Sequence, residues 1–107
     1  MAFIDGIIDK ESIISVITKM EALGYNFSSD SDEGVMKIFI NGSRILDIRD
    51  EIIDQTIIIR KGQKIGLPDA IIAATALVNN LTLVTRNKSD FKNIEGLKII
   101  NPFEVYK

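Results

Sequence analysis

Carboxylates are the side chains of this chain best suited to chemistry. The sequence contains neither His nor Cys, which excludes imidazole acid–base catalysis, thiolate nucleophiles, disulfides and the usual nitrogen- or sulfur-ligated zinc sites. Catalysis must therefore use Asp, Glu, Lys, Tyr or a metal held by oxygen. Glu21 lies in the first helical turn after one predicted strand, Asp69 opens a predicted helix, and Asp90 follows another strand.

Predicted strands alternate with predicted helices along the chain. The isoleucine-rich sequence of 107 residues favours buried strands, and the alternation implies right-handed βαβ units with a parallel sheet. We therefore predict one α/β domain over residues 1–107. The predicted strands are 12–17, 44–48, 81–85 and 97–100. Residues 3–10 are predicted to be the end of a helix, and a second helix is predicted to begin at Thr18. Further helices are predicted over 35–40, 50–61 and 69–80, with a short helical turn at 89–93.

The predicted topology brings the acidic residues to one place. Helix N-termini and strand C-termini share one edge of a βαβ layer, where such folds bind ligands. Glu21, Asp69 and Asp90 should meet there, with Thr85 and Asn87 as polar neighbours. Oxygen ligands of this kind suit Mg²⁺ or Mn²⁺, and one or two such ions could activate a water and stabilise the charge developing on a phosphodiester.

A purely structural interpretation of the same residues stands beside the catalytic one. Thr18-x-x-Glu21 is a capping-box pattern that stabilises a helix start. Asp69 suits the positive end of a helix dipole, and Asn87-x-x-Asp90 can cap its own turn. Taken alone, each pattern favours this structural role, whereas convergence on one edge leaves the structural and the functional interpretation evenly balanced.

Charge and hydropathy limit the class of partner. The 13 basic and 15 acidic residues give a net charge of −2, which argues against a broadly basic nucleic-acid binder. The longest apolar run, residues 70–78, is too short to cross a bilayer, and the chain start does not resemble a signal peptide. We expect a cytoplasmic protein without a membrane partner. Four basic residues near the predicted edge are interpreted as solvated surface, with RNA-backbone contact as the alternative: Lys19, Arg86, Lys88 and Lys92.

Three sequence motifs carry a resemblance to a known family. Residues 13–103 resemble the PIN domain, specifically the VapC-type ribonuclease toxins of bacterial and archaeal toxin–antitoxin pairs. The second and third motifs are specific, and their order and spacing match. They are ISVITxxExxG at 14–24, LPDAIIAATA at 67–76 and LVTRNxxDF at 83–91, followed by INPF at 100–103.

The resemblance implies a fold and an activity. The fold is a three-layer α/β/α sandwich with a mainly parallel sheet, and the activity is Mg²⁺- or Mn²⁺-dependent hydrolysis of RNA by about four acids, controlled by a cognate antitoxin. By position, Glu21 and Asp69 are two of those acids, and the third falls at Asn87 or Asp90. Thr85, with Thr18, would support the site.

The start of the chain departs from the family pattern. Family members begin with a central strand that ends in an Asp-Thr-Asn-like motif, whose Asp is a principal metal ligand, and then a helix. This strand and most of that helix are missing here, and Asp5 and Asp9, predicted on the remnant helix, do not replace the lost acid. We expect a shortened domain in which strands 12–17 and 81–85 pair directly or expose edges that favour a homodimer. Two functions follow: a ribonuclease impaired by the lost Asp, or a catalytically silent module that dimerises and binds an antitoxin.

Overall fold

The computed structural model describes residues 7–8, 13–85 and 87–101. In two places along these ranges, two consecutive helices separate one strand from the next. The elements in chain order are β1 (Ile7–Ile8), β2 (Ile13–Ser15), α1 (Val16–Leu23), α2 (Asp30–Asn41), β3 (Arg44–Leu46), α3 (Asp50–Gly62), α4 (Leu67–Val78), β4 (Leu83–Val84), a 3₁₀ helix (Lys88–Phe91) and β5 (Ile99–Ile100).

The described strands form one sheet in the order β3-β2-β1-β4-β5. β2 is parallel to β3, and β4 is parallel to β5, whereas β1 is antiparallel to both of its neighbours. Since β1 is antiparallel to both β2 and β4, these two strands run in the same direction. The carboxyl ends of β2, β3, β4 and β5 therefore lie along one edge of the sheet, which we call the carboxyl edge.

The centre of the sheet differs from the sequence-based expectation. The helix predicted over residues 3–10 is wrong at Ile7–Ile8, which form β1 between β2 and β4. Backbone partners on both sides favour the extended conformation here, and such tertiary pairing overrides a short local pattern. The strands β2 and β4 neither pair with each other nor leave this position open. The other residues of that predicted helix, including Asp5 and Asp9, lie outside the described residues.

The first described helix begins two residues earlier than the capping-box pattern predicts. Ser15 is its N-cap, and the Ser15 hydroxyl accepts a hydrogen bond from the N–H of Ile17 at 3.2 Å. Thr18 therefore lies inside α1, so the prediction that Thr18 caps the helix is wrong. A hydroxyl at the end of a buried strand can satisfy a free helix N–H. The predicted strand 12–17 is thereby divided between β2 and the start of α1.

Helices cover both faces of the sheet. Ile13 packs into a core with α3 and α4, whereas its neighbour Ile14 packs against Met36 and Ile40 of α2. Because successive strand residues point to opposite faces, the two cores lie on opposite sides of the sheet. The predicted three-layer α/β/α sandwich is confirmed. Among the described residues, no helix has both the length and the apolar character needed to cross a membrane.

Small side chains allow α4 to approach its neighbours closely. Ala70, Ala73, Ala74 and Ala76 are completely buried, in the same core as Leu83 of β4. The 3₁₀ helix is anchored to this core by Phe91, which is only 2% exposed. The start of α4 and the 3₁₀ helix are thereby held on a packed base at the carboxyl edge.

Candidate active site

A pocket of about 370 Å³ lies between the start of α4 and the 3₁₀ helix. Asp69, the third residue of α4, and Asp90, in the 3₁₀ helix, both line it. We call it the Asp69–Asp90 pocket. Its wall also includes residues from the connection that precedes α4 and from the chain around the 3₁₀ helix: Lys64, Gly66, Ser89 and Lys92.

Local sequence explains the position of Asp69. Gly66 is the N-cap of α4 in an extended conformation, and Pro68 occupies the first turn, where its missing N–H is tolerated. The N–H of Ala70 closes the first turn by donating to the carbonyl of Gly66 at 2.9 Å. The half-buried Asp69 carboxylate follows in this turn, where the helix dipole favours a negative charge.

A buried hydroxyl directs the chain from β4 toward the pocket. Thr85 is completely buried, and its Oγ1 accepts a hydrogen bond from the N–H of Asn87 at 3.0 Å. The carbonyl of Asn87 then accepts one from the N–H of Asp90, also at 3.0 Å. Thr85 thus connects the end of the sheet to the residue that lines the pocket. Arg86 lies outside the described residues.

Glu21 is not among the residues that line the Asp69–Asp90 pocket. Because α1 begins at Val16, Glu21 is five residues along the helix, about 7.5 Å from its first residue. In the described part of the chain, no group of three His, Cys, Asp or Glu residues is placed to hold a metal ion. The structure therefore brings Asp69 and Asp90 into one pocket without Glu21, and the ligand set of Glu21, Asp69 and Asp90 stays a prediction.

Comparison with known proteins identifies the family. The PIN domain family matches residues 3–97 of this chain. The chain belongs to the PIN domain family. Over 36 residues, its sequence is 47% identical to ribonuclease VapC1 of Rickettsia felis, an alignment that covers 34% of this chain but only 27% of that relative.

Solved structures resemble the chain over most of its length. A toxin–antitoxin complex from Klebsiella pneumoniae contains a chain with 34% identity and a TM-score of 0.71, covering 86% of this chain and 74% of its own. A chain of DNA-bound VapBC from Salmonella typhimurium has 29% identity and a TM-score of 0.70, and the match covers 82% of this chain and 73% of that chain. The resemblance to VapC-type PIN domains is therefore confirmed.

Three buried hydroxyls of this PIN domain lie near the carboxyl edge. Ile7 pairs with both Ile14 and Val84, so the next residues on those strands, Ser15 and Thr85, lie at the same level of the sheet. Both are 0% exposed, and Thr18, in the first turn of α1, is 3% exposed. The Oγ1 atom of Thr18 is buried without a hydrogen-bond partner among the described residues. Such a group costs about 1–3 kcal/mol in lost solvation.

Sequence reasoning missed some residues that line the pocket of this PIN domain. Lys64 lies in the short connection between α3 and α4, and Ser89 lies beside Asp90. The available signal was the brevity of that connection, which forces the residues before Asp69 to lie beside it. Lys92, interpreted from sequence as solvated surface, is exposed but also lines the pocket.

Proposed function

We propose that this PIN domain is a VapC-type ribonuclease toxin that hydrolyses RNA phosphodiesters with Mg²⁺ or Mn²⁺ and is controlled by a cognate antitoxin. The observation that carries the proposal is the position of Asp69 and Asp90 in one pocket at the carboxyl edge. The relative named ribonuclease VapC1 and the similar chains in toxin–antitoxin and VapBC complexes support it.

The donor set of the pocket fits a small, hard cation. Mg²⁺ is usually held by one or two carboxylates, with waters and substrate phosphates completing its coordination. Asp69 and Asp90, which line the pocket, would hold the ion. Asn87 and Glu21 are not among its lining residues; Asn87 is proposed to contribute its amide oxygen, and Glu21 is the proposed third acid. When bound, the ion activates water and stabilises the negative charge that develops on the phosphodiester. Since two described carboxylates line the pocket rather than the four of the family pattern, we expect low activity.

The chain itself holds these groups in place. Asp69 stands on a helix whose alanine face is buried against the core, so its carboxylate has a rigid base. Asp90 is held by the neighbouring Phe91 in the core and by the hydrogen bonds that run from Thr85 through Asn87. Thr85 is thus proposed as a positioning residue, because it acts through Asn87. Thr18, buried near the same edge, is proposed as a second supporting residue on its position alone.

Cleavage of a fluorescently labelled single-stranded RNA tests this assignment. We expect the purified chain to cleave in Mn²⁺ or Mg²⁺ and to stop when EDTA is added. Asp69→Asn and Asp90→Asn should each lower the rate by about 10²-fold, because an ion site supplies several kcal/mol of transition-state stabilisation. Asp54→Asn, an exposed change on α3 outside the pocket, is the matched control. Activity that survives Asp69→Asn would contradict the assignment.

A second candidate is a catalytically silent module that dimerises and binds an antitoxin. Exposed apolar side chains on and after α1 and on α2 favour partner binding: Met20 is 54% exposed, Tyr25 65% and Ile38 74%. If no divalent ion supports cleavage while antitoxin binding is measurable by calorimetry, this candidate replaces the first. We then expect Ile38→Glu to weaken binding, with Val78→Glu, at the end of α4, as the control.

A further inference from the structure

A second pocket adjoins the Asp69–Asp90 pocket. It has a volume of about 270 Å³ and follows one face of α3, where Gln55, Ile58, Ile59 and Gly62 have the i, i+3, i+4, i+7 spacing of a single helix face. We call it the α3 pocket. Gln63 and Asn93 line both pockets, so the two pockets share part of their wall, and we call the pair the groove.

The chain after the 3₁₀ helix divides this groove. Lys92 lines the Asp69–Asp90 pocket, whereas Ile94 and Glu95 line the α3 pocket. The chain passes from one pocket to the other at Asn93, which has a left-handed φ of +67°. The side chain of Gln63 holds this segment to the end of α3, since its Nε2 donates a hydrogen bond to the carbonyl of Lys92 at 3.0 Å.

The two parts of the groove differ in charge and polarity. Lys64 and Lys92 line the Asp69–Asp90 pocket and can contact phosphate oxygens. None of the described residues that line the α3 pocket is Lys or Arg; that pocket combines isoleucines with the amides of Gln55 and Gln63 and the carboxylate of Glu95. An apolar surface with amides and one carboxylate suits a flat base with hydrogen-bond donors on its edge better than it suits a phosphate.

We propose that the α3 pocket binds a nucleobase with an exocyclic amino group, next to the RNA phosphate contacted by Lys64 and Lys92. The RNA class rests on the proposed function. The base packs on Ile58 and Ile94, and its amino group donates to Glu95. Guanine, adenine and cytosine satisfy this requirement. Uracil lacks an amino group, and its one edge donor, N3–H, lies between two carbonyl oxygens that the carboxylate repels.

Binding without cleavage tests the inference independently of catalysis. Fluorescence anisotropy in EDTA compares short single-stranded RNA oligomers of uridine with oligomers of cytidine or adenosine. We expect the amino-bearing oligomers to bind about tenfold more tightly. Glu95→Ala should remove this preference, and Glu51→Ala, an exposed acid on α3 outside both pockets, should retain it. A wild-type chain without the preference, or a preference unchanged by Glu95→Ala, would overturn the inference.

Two further variants separate the phosphate and base contacts. Lys64→Ala and Lys92→Ala should weaken all oligomers alike and reduce the salt slope by about 0.7 per lost phosphate contact, whereas Lys98→Ala should not. A Cβ at Gly62 would meet no atom within 4 Å, so Gly62→Leu has room to occupy the α3 pocket and should abolish the base preference. Gly34→Leu, also in open space on α2, is its control. A base preference that survives Gly62→Leu would count against this pocket.

The results distinguish this inference from the proposed function. Selective binding without cleavage in any divalent ion would support the α3 pocket and reject the ribonuclease. Cleavage lost on Asp69→Asn, together with equal affinity for all oligomers, would support the ribonuclease and reject the base pocket.

Discussion

The hydroxyl of Thr85 accepts a hydrogen bond from the backbone N–H of Asn87 at 3.0 Å, in a position that is completely buried. This bond fixes the direction in which the chain leaves β4. Since the carbonyl of Asn87 then accepts from the N–H of Asp90, one side chain at the end of the sheet controls the backbone path to the Asp69–Asp90 pocket.

Replacing this hydroxyl should release the loop. Thr85→Val keeps the shape but removes the acceptor, and we expect a loss of about 1–3 kcal/mol in unfolding free energy. Hydrogen exchange of the Asn87 amide should become faster and RNA cleavage slower. Thr85→Ser, which keeps the hydroxyl, should preserve both amide protection and cleavage while losing about 1 kcal/mol for the missing methyl group. Equal protection of the Asn87 amide in both variants would contradict this role.

Two hydroxyls near the start of α1 should have opposite effects on stability. Ser15→Ala removes the N-cap acceptor and should lower the unfolding free energy by about 0.5–2 kcal/mol. Thr18→Val is nearly isosteric and removes a buried hydroxyl without a hydrogen-bond partner among the described residues, so it should raise stability by about 1 kcal/mol. Urea unfolding measures both changes. A destabilising Thr18→Val would show that the hydroxyl makes a favourable contact.

Thr18→Val also separates stability from function. Because Thr18 is proposed as a supporting residue of the site, we expect the variant to cleave RNA more slowly although it is more stable. If its role is only structural, cleavage should be unchanged.

Two glycines should likewise respond in opposite directions to alanine. Gly34 lies inside α2 with open space around a Cβ, so Gly34→Ala should raise the unfolding free energy by about 0.5–1 kcal/mol. Gly96 has a φ of +84°, where a Cβ would lie 3.5 Å from Cδ2 of Leu77, an ordinary contact distance. Gly96→Ala should therefore cost about 1–2 kcal/mol through backbone strain rather than through a clash. Thermal unfolding measures both, and a stabilising Gly96→Ala would contradict the strain argument.

Proline tests the central position of β1. Ile7→Pro and Ile8→Pro each remove a backbone N–H from a strand that pairs on both sides. We expect each to lower the unfolding free energy by about 1–3 kcal/mol, because a ladder bond is lost and a buried acceptor is left unsatisfied. Valine at either position keeps the N–H and serves as the control. If proline is tolerated as well as valine at both positions, the pairing of β1 is wrong.

The sequence predicted the longer elements better than the centre of the sheet. α3 and α4 have strong helical patterns, with Gly62 at the end of α3 and Pro68 at the start of α4. The bounds of both helices lie within about two residues of the predicted ones. β1 could not be predicted, because Ile7 and Ile8 fit a helical pattern equally well. Their strand conformation depends on β2 and β4, which pair with them from distant parts of the chain.

Prediction of the site was limited by local geometry. The order of strands and helices along the chain was enough to predict that Asp69 and Asp90 lie at one edge of the sheet, because that order determines which strand and helix ends share an edge. The position of Glu21 depends on where α1 begins, and a start two residues earlier moves Glu21 beyond the first turn. Lys64 lies in a connection without periodicity, so only the folded chain shows that it lines the pocket.

The antiparallel strand at the centre of the sheet has a mechanical consequence. Among the described residues, β1 joins two parallel pairs, β2 with β3 and β4 with β5, through Ile7 and Ile8. The buried face of α4 packs with Ile13 of β2 and with Leu83 of β4, and so spans the same junction. Under a force applied across the strands, the sheet should part at its centre, and the resistance should come from the α4 contacts more than from the backbone ladder.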